Sequence, residues 1–221
     1  MCGRFVIATP LVSIFEYFDI HDPRVAEHGP RFNVAPATPI LMVRDGGEAR
    51  TVDTASWGFT PSWAKAIDDG PRPINARSET VSSSRLFKRA FEQRRCLIPA
   101  DGFYEWQAGS GKRKQPYYIH RSDGQMIAFG GVWEVWHEGN EDEVTSAAII
   151  TTPANEAISE LHDRMPLVIE QNDWDDWLLG GNPAELLRPA AEDVLTWHPV
   201  NPAVGNVRNN DPDLIEPVEG S

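Results

Sequence analysis

The sequence predicts an α+β fold, a single domain built on a largely antiparallel, curled or barrel-like β-sheet with flanking helices. Three observations point there. From Cys96 onward, stretches rich in aromatic and β-branched residues follow one another at 96–98, 103–106, 117–119, 126–136 and 147–151, the pattern of successive strands. Helical periodicity is confined to short segments that interrupt those strands rather than alternating with them regularly. The 221 residues contain no internal repeat and no low-complexity linker, so one compact unit accommodates the chain.

Along the chain, Leu11, Val12, Ile14, Phe15 and Phe18 recur at helical spacing after Pro10, predicting a first helix. Residues 40–43 form a short apolar run after Pro39 and read as a strand. Three serines at 82–84 offer an N-cap, and Leu86, Phe87, Ala90 and Phe91 then keep helical spacing, so Arg85, Lys88 and Arg89 are expected on the solvent face of a helix. Gly109, Ser110 and Gly111, followed by Lys112, Arg113 and Lys114, read as a hairpin turn with a charged tip. Residues 154–161 are expected to be helical, 167–169 a strand, and 174–179 and 184–187 short helices. The domain is expected to span 1–208. The tail, 209–221, with Pro212 and Pro217, should wrap the surface or fray.

Apolar residues make up 41% and charged residues 24% of the chain, values that support a proper core. No apolar run is long enough for a membrane span, and the N-terminus lacks the basic and apolar regions of a secretory signal, so a cytoplasmic location is expected, nucleoid-associated when DNA is bound. Two cysteines, Cys2 and Cys96, form no disulfide framework and no metal-ligand spacing, so neither a metal nor another cofactor is expected. Walker A, G-x-S-x-G, H-E-x-x-H and G-x-G-x-x-G signatures are absent, which removes the usual support for nucleotide, hydrolase and metalloprotease readings. The net charge of −13 argues against nucleic acid when taken alone. Its distribution argues otherwise: Arg72, Arg77, Arg85, Lys88, Arg89, Arg94 and Arg95 stand against only Glu79 and Glu92, a local excess of five positive charges. A basic binding face and an ordinary solvated helix face both fit that run.

Position two makes Cys2 a candidate for chemistry. An initiator Met is normally removed before so small a residue, leaving an α-amine and a thiol on one carbon. Such an amine titrates near neutrality and attacks aldehydes, and the thiol can then close onto the imine carbon as a thiazolidine. Position alone equally describes a small buried residue. Glu105 lies in an aromatic strand and shares a face with Phe103; turned inward it would be a carboxylate in apolar surroundings, suited to proton transfer, and turned outward an ordinary surface acid. His162 precedes Asp163, Arg164, Met165 and Pro166, at a helix-to-strand junction where an imidazole can do acid–base work or merely cap. Asn75 could orient an amine or a sugar oxygen, or simply shape a turn after Pro73. Trp63, which ends the segment 57–63 that begins at Trp57 and contains Pro61, is the tryptophan best placed for exposure; with Arg77 and Arg85 it offers the stacking and phosphate contacts that single strands use. Asn33 and His198, each flanked by apolar residues and proline, read as structural.

Together these residues resemble the SOS response-associated peptidase (SRAP) family, whose members shield abasic sites in single-stranded DNA. The resemblance is carried, in family order, by Met1-Cys2-Gly3-Arg4-Phe5, Arg31-Phe32-Asn33-Val34-Ala35-Pro36, Trp57-Gly58-Phe59, Asn75-Ala76-Arg77-Ser78-Glu79-Thr80, the eleven residues from Cys96 through Trp106, His162-Asp163-Arg164-Met165-Pro166 and Trp197-His198-Pro199-Val200. It implies that Cys2 is the crosslinking residue, that Asn75 positions it, that Glu105 shuttles protons and that His162 assists at the sugar. It further implies DNA contacts at Arg4, Arg77, Ser78 and Arg85, and an aromatic wedge at Trp63. Ala64 departs from relatives that carry a second tryptophan there, which weakens stacking on one side of the lesion. The implied partner is single-stranded DNA with abasic sites, bound by a monomer. A thiol peptidase using Cys2 and a non-covalent single-strand binding module are the competing readings.

Overall fold

A computed structural model describes residues 2–67, 70–107 and 114–218. In chain order the elements are β1 (Phe5–Ile7), α1 (Leu11–Phe18), β2 (Ile20–Pro23), β3 (Arg31–Val34), β4 (Pro39–Asp45), β5 (Arg50–Trp57), β6 (Asn75–Arg77), α2 (Lys88–Gln93), β7 (Arg95–Ala100), β8 (Gly102–Gln107), β9 (Gln115–Arg121), β10 (Ile127–Trp136), β11 (Val144–Pro153), α3 (Glu156–Ser159), β12 (Arg164–Pro166), α4 (Trp174–Leu179) and β13 (Leu195–Pro199).

The strands form two sheets. One has the order β13-β9-β8-β1-β3, and the other β12-β11-β10-β7-β4-β5-β2, with β6 paired to β11. A further pairing between β5 and β11, Ser56 with Ser146 and Trp57 with Ala147, closes β11, β10, β7, β4 and β5 into a ring, which is the barrel-like curl expected from the strand run. Pairings are antiparallel except β2–β5, β5–β11 and β6–β11. The main core fills the space between the sheets. Phe5 meets Trp57 edge-on with ring centroids 5.1 Å apart and Phe129 at 6.0 Å, and Phe103 meets Phe129 at 5.9 Å. Outside the ring, α1 and α4 pack through Phe18 stacked on Trp174 at 4.7 Å. Buried indoles find acceptors, as burial of an N–H demands: Trp57 donates to Ile74 O and Trp177 to Cys96 O. No described helix is long and apolar enough to cross a membrane.

A second, smaller cluster of Val6, Tyr104, Tyr118, Val200, Val204 and Leu214 covers the other face of the five-stranded sheet. Asn33, buried as expected of a structural residue, ties the C-terminal segment down by donating to the carbonyls of Val204, Asn206 and Asn209. His198 bonds Ile215 O at 2.8 Å. Both faces of β8 are therefore covered, which is why Tyr104 is as buried as Phe103.

Three expectations need correction. The helix read from Ser82 onward starts only at Lys88. The segment before it is a chain of turns in which Ser84 takes the N–H of Leu86 on its hydroxyl and those of Phe87 and Lys88 on its carbonyl, the competition that serines offer a helix; Arg85 thus projects from a turn. The strand read at 167–169 lies just before it, at Arg164–Pro166, and within 167–169 only Val168 makes an isolated bridge, to Phe129. Leu167 N–H donates to Ile150 O while Leu167 O accepts from Gly130 N–H, so the chain there crosses from β11 to β10 instead of following one neighbour. The basic run is narrower than its composition suggests. Arg95 is buried and donates to the carbonyls of Trp177, Phe91 and Glu92, and Arg94 is paired with Glu134 and Glu138. Arg77, Arg85, Lys88 and Arg89 are left at the surface. The turn at 109–111 and Lys112 and Arg113 lie outside the described residues.

Candidate active site

Strand pairing delivers Cys2 to the edge of β8. Phe5 lies opposite Phe103, and Tyr104 N–H donates to Arg4 O at 2.9 Å; continued, that register sets Gly3 opposite Glu105. Cys2 is fully buried, and burial pushes its thiol well above the usual range; the Glu105 carboxylate adds to the rise, and an Arg4 backbone hydrogen bond opposes it. Glu105 is itself buried, 4% exposed, on the face of β8 that carries Phe103, the inward setting its alternation with Phe103 allowed.

Asn75 reaches the same place from another strand. It opens β6, which runs parallel to β11 with Asn75 beside Ile149, and its Nδ2 donates to Cys2 O at 2.9 Å. The Oδ1 of Asn75 is buried with no hydrogen-bond partner among the described residues. A buried amide oxygen left without a donor is costly.

His162 lies in the turn between α3 and β12. Its Nδ1 is 3.0 Å from the Arg164 N–H that donates to it and 2.7 Å from an Asp163 carboxylate oxygen. Gln107 Nε2, at the end of β8, donates to Glu160 O at 2.9 Å, which holds this turn against the strand that carries Glu105. Cys2, Asn75 and Glu105 are thus brought together directly, and the His162 turn is laid alongside them.

The other expected residues are placed unevenly. Trp63 is 62% exposed, with the Arg85 guanidinium 5.6 Å above its ring, and the two border a cavity of about 360 Å³ with Pro61, Pro71 and Leu86. Ala64 is buried beside it. Arg77 is exposed at the end of β6. Arg4 is committed to the fold, donating through Nη1 to Asn33 Oδ1 at 2.7 Å and Val204 O at 3.0 Å. Ser78 is buried and its hydroxyl donates to Glu79 at 3.2 Å. Two ion pairs that border these residues have little local signature in the sequence. One is Glu134 with Arg94, betrayed only by an acid inside the apolar run of β10. The other is Glu79 with Arg164, whose guanidinium also donates to Thr151 O at 2.6 Å.

The family model for SOS response associated peptidase (SRAP) matches residues 1–207. The chain belongs to the SRAP family. It is 35% identical to the abasic site processing protein YoqW of Bacillus subtilis, a match covering 98% of this chain and 99% of the relative. It is likewise 35% identical to the abasic site processing protein YedK of Escherichia coli, covering 99% and 100%. A crystal structure of a Bacteroides thetaiotaomicron protein has a TM-score of 0.88 at 20% identity, covering 99% of this chain and all of that one, and shares its fold. The SRAP match takes in β1, β6, β8 and the α3–β12 turn, the segments that converge on Cys2.

The Glu79–Arg164 pair gives this SRAP chain a testable acid response. The Arg164 guanidinium, by donating to Glu79, holds that carboxyl well below the usual range, at about 2. In the unfolded chain a Glu titrates at about 4.3. The pair's contribution is therefore complete above that value and is lost as the pH falls toward 2. Because the Glu79 side chain is 48% exposed, the contribution is at most about 1 kcal/mol. Urea denaturation should show Glu79→Gln less stable than wild type by up to about that amount at neutral pH, with the gap closing in acid. A gap that persists unchanged at low pH would assign the loss to packing instead.

Proposed function

We propose that this chain forms a covalent thiazolidine between Cys2, freed of Met1, and the C1′ aldehyde of a ring-opened abasic site in single-stranded DNA, and so shields the lesion. The observation that carries this reading is the hydrogen bond from Asn75 Nδ2 to Cys2 O at 2.9 Å, which fixes the backbone of the second residue beside a buried carboxylate. An inert chain start needs no such clamp.

The chemistry balances with the groups at hand. His162 assists opening of the sugar to its aldehyde. The Cys2 amine adds to C1′, and loss of water gives an imine; Glu105 moves the protons for that dehydration. The Cys2 sulfur then bonds to the imine carbon, and its proton ends on the nitrogen. A thiol held neutral by burial waits for this last step rather than competing for the aldehyde as a thiolate. Arg77 and Arg85 hold phosphates and Trp63 stacks at the lesion's neighbour, while Arg4, bonded to Asn33, and Ser78, bonded to Glu79, act from within the fold.

Incubation with an abasic oligonucleotide followed by a denaturing gel tests the reading. A shifted band on the abasic strand alone supports it. Casein cleavage without a shift would favour the peptidase, and equal native binding of intact and abasic strands without a shift would favour the non-covalent module. Asn75→Ala should slow adduct formation by roughly 10- to 100-fold, the cost of a slightly misplaced nucleophile, with little change in the melting temperature; a wild-type rate would remove the clamp from the mechanism.

A further inference from the structure

Trp63 is a large apolar side chain left in water, yet both of its neighbours in the chain are tethered to buried groups of one strand. Before it, Ser62 Oγ donates to Glu134 Oε2 at 3.3 Å. After it, Ala64 O accepts from Trp136 Nε1 at 2.8 Å. Glu134 is 4% exposed and is held by Arg94 Nη1 at 2.6 Å and by the N–H of Val135 at 3.0 Å. Arg94 in turn bonds Glu138 at 3.1 Å and lies 5.1 Å above the Trp133 ring. Upstream, Thr60 N–H donates to Ser146 Oγ at 2.9 Å, so the segment is pinned from both β10 and β11.

A buried carboxylate–guanidinium pair contributes little net stability, because desolvation offsets the attraction. What such a pair does supply is a fixed position for whatever bonds to it. Here the third partner is Ser62, one residue from the exposed indole. We infer that Arg94, Glu134 and Ser62 form a positioning relay that holds the Trp63 loop rigid, so that the indole is a preorganised platform for a nucleobase of a single strand. Ordering an exposed aromatic loop on binding costs conformational entropy; a loop ordered beforehand avoids that cost. The inference rests on the reading that Trp63 stacks on bases, and it assigns residues remote from Cys2 to that task.

A double-mutant cycle on the full chain tests it, with the affinity for an intact single-stranded oligonucleotide read by fluorescence anisotropy. Trp63→Ala should weaken binding by about tenfold, within the range found for loss of one base–aromatic stack. Ser62→Ala and Glu134→Gln should each weaken it by roughly threefold to tenfold, and neither should weaken it further once Trp63 is gone, because coupled residues are non-additive. Reaction with free 2-deoxyribose, which has no base to stack, should proceed in both variants at the wild-type rate. Multiplying effects in the double variants, or wild-type affinity in both Ser62→Ala and Glu134→Gln beside a weakened Trp63→Ala, would overturn the relay alone. Full affinity in Trp63→Ala would overturn the stacking reading and the relay with it. Ser62→Ala keeps the test sound if Glu134→Gln folds poorly.

Discussion

Replacing Cys2 by alanine should abolish the adduct that survives a denaturing gel, while leaving a complex that borohydride can trap. Alanine is also small enough for Met1 to be removed, so the α-amine is retained and an imine still forms. Only the sulfur is lost, and with it the second bond that protects the carbon from hydrolysis. The variant therefore separates the two halves of the proposed reaction: amine attack persists, ring closure does not. Cys2 has no exposed surface, and removing one sulfur from the core costs about 1 kcal/mol by transfer, so the variant stays folded. A stable adduct in Cys2→Ala, or no reducible adduct at all, would contradict the proposed sequence of steps.

The largest expected loss of stability lies at Gly102, which opens β8. A Cβ there would stand 2.5 Å from Cε2 and Cζ of Tyr118 and 2.6 Å from Ile119 O. The backbone oxygen cannot move without breaking the β8–β9 ladder. The Tyr118 ring cannot swing away, because it is packed against Tyr104 at 5.5 Å and stacked on His120 at 5.4 Å. Gly102→Ala should therefore destabilise the fold by about 2–3 kcal/mol, the cost of overpacking a filled site, and lower the melting temperature by roughly 5–10 °C. Glu105 lies three residues along the same strand, so adduct formation should fall as well. A variant that melts within a degree of wild type would mean that β8 can shift to absorb a methyl group.

Much of this fold could be read before any coordinates. Helix α1 has the bounds that its apolar spacing gives, and β7 to β11 fall where aromatic and β-branched residues cluster. Position two marks Cys2 as a candidate, a thiol beside an α-amine, but the same position also describes a small buried residue, and Cys2 is fully buried. The residues that surround it needed tertiary context to be recognised. Nothing local says that Asn75 reaches Cys2, since the contact spans 73 positions of sequence and depends on β6 lying parallel to β11. Charge was the least readable property. Arg94 and Arg95 look like the continuation of a basic face, yet one neutralises the buried Glu134 and the other donates to three carbonyls near α4 and α2. Serine-rich turns likewise cut short a helix that periodicity alone would have begun earlier.

The parallel pairing that closes the ring has an architectural consequence. Trp57 leaves the barrel beside Ala147, and Asn75 rejoins it beside Ile149, two steps farther along β11. β5 and β6 thus behave as one strand with seventeen residues, 58–74, looped out of its middle. That excursion carries Trp63, whereas the ladder on either side of it carries Asn75. Thr60, Ser62 and Ala64 are tied to β11 and β10, so the insertion is anchored to the barrel it leaves. Under the proposed reading, a change at Trp63 alone would retune stacking while Asn75 keeps its place beside Ile149.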